Sequence, residues 1–219
     1  MLLVFALGVA GVVLLAWRDV FTSSPALRGS GIAASQRRQV PRFAGVELAG
    51  SNTVVLRVGD RQSVVVHADD NLLGRVTTEV RDGRLVIGNT PGSFTTKAPM
   101  RVEIRVPSIG LLALSGSGAV VATGIRGPAL KVTLTGSGTL RASGTVDRLD
   151  ATLTGSGDVE LLQLVAADAH AVVSGSGRIL VTATRRLDAS VLGSGTILYG
   201  GKPARLTTSV TGSGVIDHT

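Results

Sequence analysis

The chain contains no cysteine and few aromatic residues. The absence of cysteine excludes disulfide bonds, thiolate metal sites, catalytic thiols and lipid attachment at a cysteine. Aromatic residues make up 3% of the 219 residues, so a hydrophobic core must be built from Val, Leu, Ile and Ala. The scarcity of rings also leaves no platform on which bases of a nucleic acid could stack.

The net charge of +7 is not spread evenly along the chain. Residues 18–42 contain five arginines and one acidic residue, whereas residues 43–219 contain 17 basic and 14 acidic residues. The larger part therefore carries only +3, without a visible stripe of Lys and Arg. This pattern argues against nucleic acid as a partner.

An apolar run at residues 2–17 precedes this basic segment. As a helix it spans about 24 Å, slightly less than the hydrocarbon core of about 30 Å. We therefore predict that residues 1–21 are a signal peptide or a membrane anchor, and that the chain is exported to the cell envelope, either membrane-anchored or secreted. The composition of residues 22–42, rich in Ser, Gly, Pro and Arg, predicts a basic flexible linker.

A Gly-Ser-Gly unit occurs six times, and its first glycines are separated by 20, 19, 20, 18 and 19 residues. A fixed period near 20 residues is typical of a solenoid, in which each coil packs only against its neighbours. Glycine adopts the positive φ of a tight bend and lets successive backbones approach closely. We therefore interpret each unit as a structural corner, with its serines stacked as a ladder. The corner residues are Gly116, Ser117, Gly118, Gly136, Ser137, Gly138, Gly155, Ser156, Gly157, Gly175, Ser176, Gly177, Gly193, Ser194, Gly195, Gly212, Ser213 and Gly214.

The residues around each corner alternate between apolar and polar. The position two before the first glycine is always Leu or Val, and the position four after it is always Val, Leu or Ile. This period of two predicts half-buried strands. We predict an all-β fold, a single-stranded parallel β-helix or solenoid with coils of 19–20 residues, preceded by the N-terminal hydrophobic helix. The polar column Lys131, Asp150, His170 and Asp188 is expected to form a ladder of alternating charge.

The solenoid domain is predicted to cover residues 43–219, with the six Gly-Ser-Gly repeats in residues 111–219. Residues 43–110 show strand patterns without the glycine signature, and Asp82-Gly83 is an expected turn. They predict either irregular early coils or a cap on the rod. At the other end, a strand edge after the sixth corner would favour self-association into a homo-oligomer.

Several motifs resemble a known bacterial family. They are F-x-x-V-x-L at 43–48, DDNLL at 69–73, DGRLVI at 82–87, VEIRVPSI at 102–109 and the recurring L-[ST]-G-S-G. Together they resemble the putative auto-transporter adhesin, head GIN domain family, over about residues 43–219. The resemblance implies a cell-envelope β-solenoid with an adhesin-like role, and it supplies no catalytic residues.

A search for catalytic motifs supports no enzyme site, so no catalytic, metal or cofactor residues are predicted. The glycine units lack the spacing of phosphate loops and of a nucleophile elbow. His67, His170 and His218 lack metal-ligand spacing. The carboxylates Asp158 and Glu160, and the pair Asp69-Asp70, are interpreted as solvated surface charges.

One possible binding face consists of outward hydroxyl side chains: Thr133, Thr135, Thr152, Thr154, Ser209 and Thr211. Hydroxyl rows of this kind could bind a glycan or ice, although Val172 and Leu192 interrupt them. The sequence thus favours a non-enzymatic, adhesin-like envelope domain that displays a surface for binding a glycan or an envelope protein, or for self-association. An unrecognised enzyme acting on polysaccharides is the alternative, which a groove with two or more carboxylates would favour.

Overall fold

The computed structural model describes residues 27–219, which form seventeen β-strands and one short 3₁₀-helix, Asp70–Arg75. The strands are β1 (Leu27–Arg28), β2 (Ala33–Arg38), β3 (Gly45–Ala49), β4 (Thr53–Val58), β5 (Ser63–Asp69), β6 (Val76–Arg81), β7 (Arg84–Asn89), β8 (Phe94–Thr95), β9 (Arg101–Val106), β10 (Leu111–Gly116), β11 (Ala119–Gly136), β12 (Thr139–Gly155), β13 (Asp158–Gly175), β14 (Arg178–Gly193), β15 (Thr196–Gly200), β16 (Arg205–Gly212) and β17 (Val215–His218). The segment predicted as signal peptide or anchor, residues 1–21, lies outside the described residues. Within residues 27–219, no helix has the length and apolar character needed to cross a membrane.

The predicted β-solenoid is confirmed, with about five turns. Strands β10 to β17 stack in parallel, and each coil pairs with the equivalent residues of the next. The alternation of buried and exposed residues breaks at three places per coil, so each coil has three sides. Face A, which ends at each corner, comprises residues 111–116, 131–136, 150–155, 170–175, 188–193 and 207–212. Face B, which follows each corner, comprises residues 119–122, 139–142, 158–161, 178–181, 196–199 and 215–218.

The core consists of aliphatic columns that run along the rod axis. The face A column Leu114, Leu134, Leu153, Val173 and Val191 is at most 1% exposed. The predicted second column is equally buried from its first member to its fifth, at Val120, Leu140, Val159, Ile179 and Ile197. Burying one such side chain contributes about 1.5–3 kcal/mol, so these columns supply the main driving force for coil stacking.

Coil length varies at two bends, one directly after face B and one directly before the next stretch of face A. Between β13 and β14 the register shifts, because three residues of β13 lie between the partners of Val181 and Thr182. The first bend of β14 is therefore three residues shorter, and its second bend, between Ala183 and Arg186, is one residue longer. Together they change the interval from 20 to 18 residues. The Gly-Ser-Gly corners and face A remain in register throughout.

Each corner depends on both of its glycines. The first glycine has a positive φ of 117° to 126° in all six copies, which only glycine adopts without strain. A Cβ on the second glycine, as at Gly138, would lie 2.5 Å from the carbonyl oxygen of Gly118 in the preceding coil. The backbone N–H of Ser137 donates a hydrogen bond to the carbonyl of Gly116 at 3.1 Å, while the serine side chain is exposed. The hydrogen bonds that join successive corners are thus made by the main chain, where the sequence had predicted a ladder of serine side chains.

Residues 43–110 combine the two predicted alternatives. Strands β3 and β4 pair in parallel with β10 and β11, and β7 and β9 extend the same two faces by one further strand. Strand β6 runs antiparallel to β7, and β5 runs antiparallel to β9. Together with β2, which precedes residue 43 and runs antiparallel to β5, they close this end of the rod. The predicted turn between β6 and β7 is confirmed, with positive φ at both Asp82 and Gly83.

A further corner, Gly50-Ser51-Asn52, precedes the six predicted from the repeat. Gly50 has a φ of 126°, and its carbonyl accepts a hydrogen bond from the N–H of Gly118 at 2.9 Å. Asn52 stands in place of the second glycine and is buried, with its side-chain amide bonded to that of Asn89 at 3.0 Å. The tripeptide was missed because its third residue departs from the repeat.

The flexible linker predicted for residues 22–42 is wrong where β1 and β2 form. β1 pairs with β8, and β2 pairs with β5 over six residues. The burial of β2 shows no alternation, since most of its side chains are exposed. Its strand conformation depends on backbone pairing, which leaves no hydrophobic pattern in the sequence.

Asp69 ties this N-terminal segment to the solenoid. Its carboxylate accepts hydrogen bonds from the N–H groups of Gly31 at 2.7 Å, Lys97 at 3.0 Å and Ala98 at 3.2 Å. The interpretation of Asp69 as a solvated charge is therefore wrong, because the residue is fully buried. Burial by itself would raise the pKa of Asp69, but the backbone N–H donors outweigh it and the pKa is lowered.

The last described coil is the least buried part of the solenoid. Leu206, Val210 and Val215 are 44%, 45% and 50% exposed. In the preceding coil, the register partners Leu187 and Val191 are fully buried. Within residues 27–219 no strand pairs with the outer edge of β16.

We predict that Gly138→Ala destabilises the chain by about 3 kcal/mol, because the added Cβ would meet a backbone carbonyl and Leu114 Cδ2 at 2.7 Å. Gly127→Ala is the matched control, since no atom lies within 4 Å of its Cβ and its φ is not positive. Urea unfolding measures both changes. Equal loss of stability in the two variants would contradict the corner account.

We also predict that Asp69→Asn lowers the unfolding free energy at neutral pH, because an amide cannot accept all three N–H donors equally well. The lowered pKa means that the wild-type contribution is fully present above about pH 4 and is lost as the pH falls through the folded pKa. The variant should therefore lose less stability between neutral and acidic pH. Asp147→Asn, at an exposed site, is the control. Identical pH profiles for wild type and Asp69→Asn would refute this role.

Candidate functional site

Four of the predicted hydroxyl residues form one continuous patch on face A. Strands β11 and β12 are in register, so Thr133 lies beside Thr152 and Thr135 beside Thr154. Thr135 and Thr154 are exposed, and the other two are half-buried. Neighbouring strands are about 4.8 Å apart, so the four hydroxyls form a flat array. We call these four residues the threonine patch.

The other two predicted residues share its columns but lie further along the rod. Ser209 and Thr211 are in register with Ser190 and Leu192 of β14. One strand closer to the patch, β13 places Val172 beside Thr152. The structure therefore brings together the four threonines and separates Ser209 and Thr211 from them by two strands.

The charged column beside the patch follows the predicted order. Lys131 is in register with Asp150, Asp150 with His170, and His170 with Asp188. A hydrogen bond from Arg186 holds the pKa of Asp188 below its usual value, with a smaller contribution from His170. His170 is exposed and occupies a ladder position in this column.

Asp158 and Glu160 lie on face B, and each is paired with an arginine. Arg141 donates two hydrogen bonds to Glu160, at 2.7 Å and 2.9 Å, and Arg178 lies 2.9 Å from Asp158. The Arg141 hydrogen bonds lower the pKa of Glu160, and burial opposes this shift. A general acid needs a raised pKa to hold its proton at neutral pH, so Glu160 is suited to an ion-pair ladder.

The other two histidines lie far from the threonine patch in the sequence and on other strands. His67 Nε2 lies 3.5 Å from a Glu103 oxygen, and the His218 ring packs edge-on against Tyr199, with ring centroids 5.2 Å apart. In residues 27–219, no three His, Asp or Glu side chains cluster closely enough to hold a metal ion.

Solved structures share this fold. An adhesin-like protein from Bacteroides fragilis, described as "a putative adhesin", has a TM-score of 0.71 and 20% identity, covering 89% of this chain and 100% of that one. A "putative adhesin" from Parabacteroides merdae has a TM-score of 0.60 and 17% identity, covering 89% of this chain and 99% of that one. A "putative lipid binding protein" from Parabacteroides distasonis has a TM-score of 0.56 and 23% identity, covering 89% and 99%.

The sequence comparisons agree with the solenoid geometry. No curated protein matches the chain. The family model described as "Putative auto-transporter adhesin, head GIN domain" matches residues 42–203, well over half of the chain. This range begins within one residue of the predicted domain start and includes five of the six corners. The chain therefore belongs to the putative auto-transporter adhesin, head GIN domain family.

Proposed function

We propose that this chain is a non-enzymatic, adhesin-like domain of the cell envelope that binds a glycan through the threonine patch. The observation that carries this proposal is the in-register array of Thr133, Thr135, Thr152 and Thr154 on a flat face. Each hydroxyl both donates and accepts a hydrogen bond, as sugar hydroxyls do. Membership of an adhesin family supports the binding role and the envelope location.

The expected affinity of the threonine patch for a glycan is low. One hydrogen bond contributes a net of about 1 kcal/mol, so four contribute about 4 kcal/mol before the cost of association is subtracted. The four hydroxyls alone therefore give a Kd no tighter than about 1 mM. A single domain is therefore a weak binder. Many copies on one cell surface would raise the avidity by about two to four orders of magnitude.

The surface cavities of the described residues bear on the alternative of a polysaccharide-acting enzyme. Two of them, with volumes of about 620 Å³ and 370 Å³, contain one carboxylate each, Asp60 and Glu160. Hydrolysis of a glycosidic bond ordinarily needs two carboxylates across the scissile bond. Glu160 is also held by Arg141.

Replacing the four threonines of the patch by valine is predicted to abolish glycan binding without unfolding the chain. Valine keeps the β-branched shape and removes only the hydroxyl. The measurement is binding of surface-immobilised protein to a dense array of envelope polysaccharides. Thr139→Val and Thr196→Val, on face B, are the matched controls.

Retained glycan binding by the four-valine variant would overturn the proposal. A flat threonine array could also bind ice, and an ice-recrystallisation assay on the same proteins distinguishes ice binding from glycan binding. Inhibition of ice growth without glycan binding would identify ice as the ligand.

Self-association is a second candidate function, favoured by the exposed apolar residues of the last coil. Two copies related by a two-fold axis would pair their β16 edges and cover Leu206 and Val210. A closed pair of this kind gives hydrogen-bond partners to the N–H and C=O groups at the β16 edge. It also buries Leu206 and Val210, whose equivalents in the preceding coil are already buried.

We predict that Val210→Lys weakens this dimer at least about tenfold, because it would place a charge in the paired edge. Leu192→Lys is the control, since Leu192 is 48% exposed on the outer side of face A. Sedimentation velocity over a range of concentrations measures the assembly. A wild-type monomer at every concentration would rule out the dimer, and open-ended polymers would indicate head-to-tail contacts instead.

A further inference from the structure

A cavity of about 620 Å³ lies on the face B sheet, near its N-terminal end. Its lining includes Arg37, Arg57, Arg61 and Arg105, with Asp60 as the one carboxylate. Four positive charges and one negative charge give the lining a formal charge of +3. The volume falls within the range of about 300–1,000 Å³ that small-molecule sites occupy.

The four arginines converge because of the strand order β4, β9, β5, β2. Arg57 on β4 lies directly beside Arg105 on β9, and Arg105 lies beside Ser63 on β5. Arg37 comes from β2, next to β5, and Arg61 comes from the loop between β4 and β5. Residues that are 68 positions apart in the sequence, from 37 to 105, thus surround one cavity.

These arginines differ from the others on the same face. In the described part of the chain, none of the four has a carboxylate oxygen within 4.0 Å, whereas Arg101, Arg141 and Arg178 are each ion-paired. Glu103, on the same strand as Arg105, is held by Arg101 at 2.7 Å. The cavity therefore offers guanidinium groups that the protein itself does not neutralise.

The arrangement costs stability when the cavity contains no anion. Like charges directly opposite each other on neighbouring strands repel, by a fraction of a kcal/mol for an exposed pair. Arg57 and Arg105 are such a pair. A bound oxyanion would reverse the sign of this interaction, since guanidinium groups bind phosphate oxygens in bidentate fashion.

We propose that this cavity binds a phosphate group carried by a small organic molecule, either a soluble phosphate ester or a phospholipid headgroup. The volume is about twenty times that of one water molecule, which takes about 30 Å³, so it accommodates more than the phosphate itself. The site lies on face B and does not depend on the threonine patch of face A.

Calorimetry on the full chain in a neutral detergent tests the site with three probes: inorganic phosphate, glycerol phosphate and soluble short-chain phosphatidylglycerol. We expect all three to bind. Arg57→Gln and Arg105→Gln should each weaken binding at least about tenfold, because each removes charge-assisted hydrogen bonds. Arg105→Lys should also weaken it, since lysine keeps the charge but loses the planar fork. Arg178→Gln is the matched control, with the same change in charge on the same face.

The probes also distinguish the two sources of phosphate. Tighter binding of phosphatidylglycerol than of glycerol phosphate identifies a lipid headgroup, and equal binding identifies a soluble ester. Failure of all three probes to bind would overturn the proposal. Equal weakening by Arg178→Gln and Arg57→Gln would also overturn it, because diffuse charge would then explain the binding.

Thermal unfolding provides a second readout that does not depend on measuring affinity. In phosphate-free buffer, Arg105→Gln should unfold at the same or a higher temperature than wild type, because it removes the repulsion with Arg57. Phosphate should then stabilise the wild type and not the variant. A lower unfolding temperature of Arg105→Gln without phosphate, together with equal stabilisation of both proteins by phosphate, would show that the arginine is structural.

Discussion

The close approach of successive backbones at the Gly-Ser-Gly corners is the constraint on which the solenoid depends. Each second glycine from Gly138 to Gly177 leaves no room for a Cβ, because the carbonyl of the previous coil would lie 2.5 Å away. With the corners fixed, the aliphatic columns align without a change of register on face A. Burial supplies the stabilising free energy, and the corners determine which residues it acts on.

This constraint also shapes the surface. Because every coil repeats in register, a polar residue at one outward position becomes part of a column, as with the threonine patch and the charged column that includes His170. Such columns form extended arrays of one kind of side chain along the rod. The arginine cavity arises differently, where antiparallel strands close the rod and the repeat no longer dictates which side chains are neighbours.

Much of the fold could be predicted from the sequence, because residues at equivalent positions of the repeat occupy equivalent positions in every coil. The corners, the inward columns and the charged column all follow from aligning one period. The strand β2 could not be predicted, since backbone pairing leaves no hydrophobic pattern. Asp69 was misread as a surface charge because its N–H donors come from residues 31, 97 and 98, which the sequence does not place beside it.

Of the two candidate sites, one could be predicted from the sequence and the other could not. The threonine patch was predictable, because its members occupy equivalent positions of consecutive coils. The arginine cavity was not, because Arg37, Arg57 and Arg105 lie on separate strands and form no stripe in the sequence. Their proximity follows from the order of β4, β9, β5 and β2, which no periodic pattern encodes.

Amide hydrogen exchange at the corner serines tests the central claim most directly. Their side chains are exposed, yet the N–H groups of Ser137, Ser156 and Ser176 donate to the preceding coil at 3.0–3.1 Å. The account predicts that these amides exchange as slowly as those of the buried strands, through global unfolding only. Fast exchange at the corners beside protected strands would show that the corners are ordinary loops, and would contradict the account.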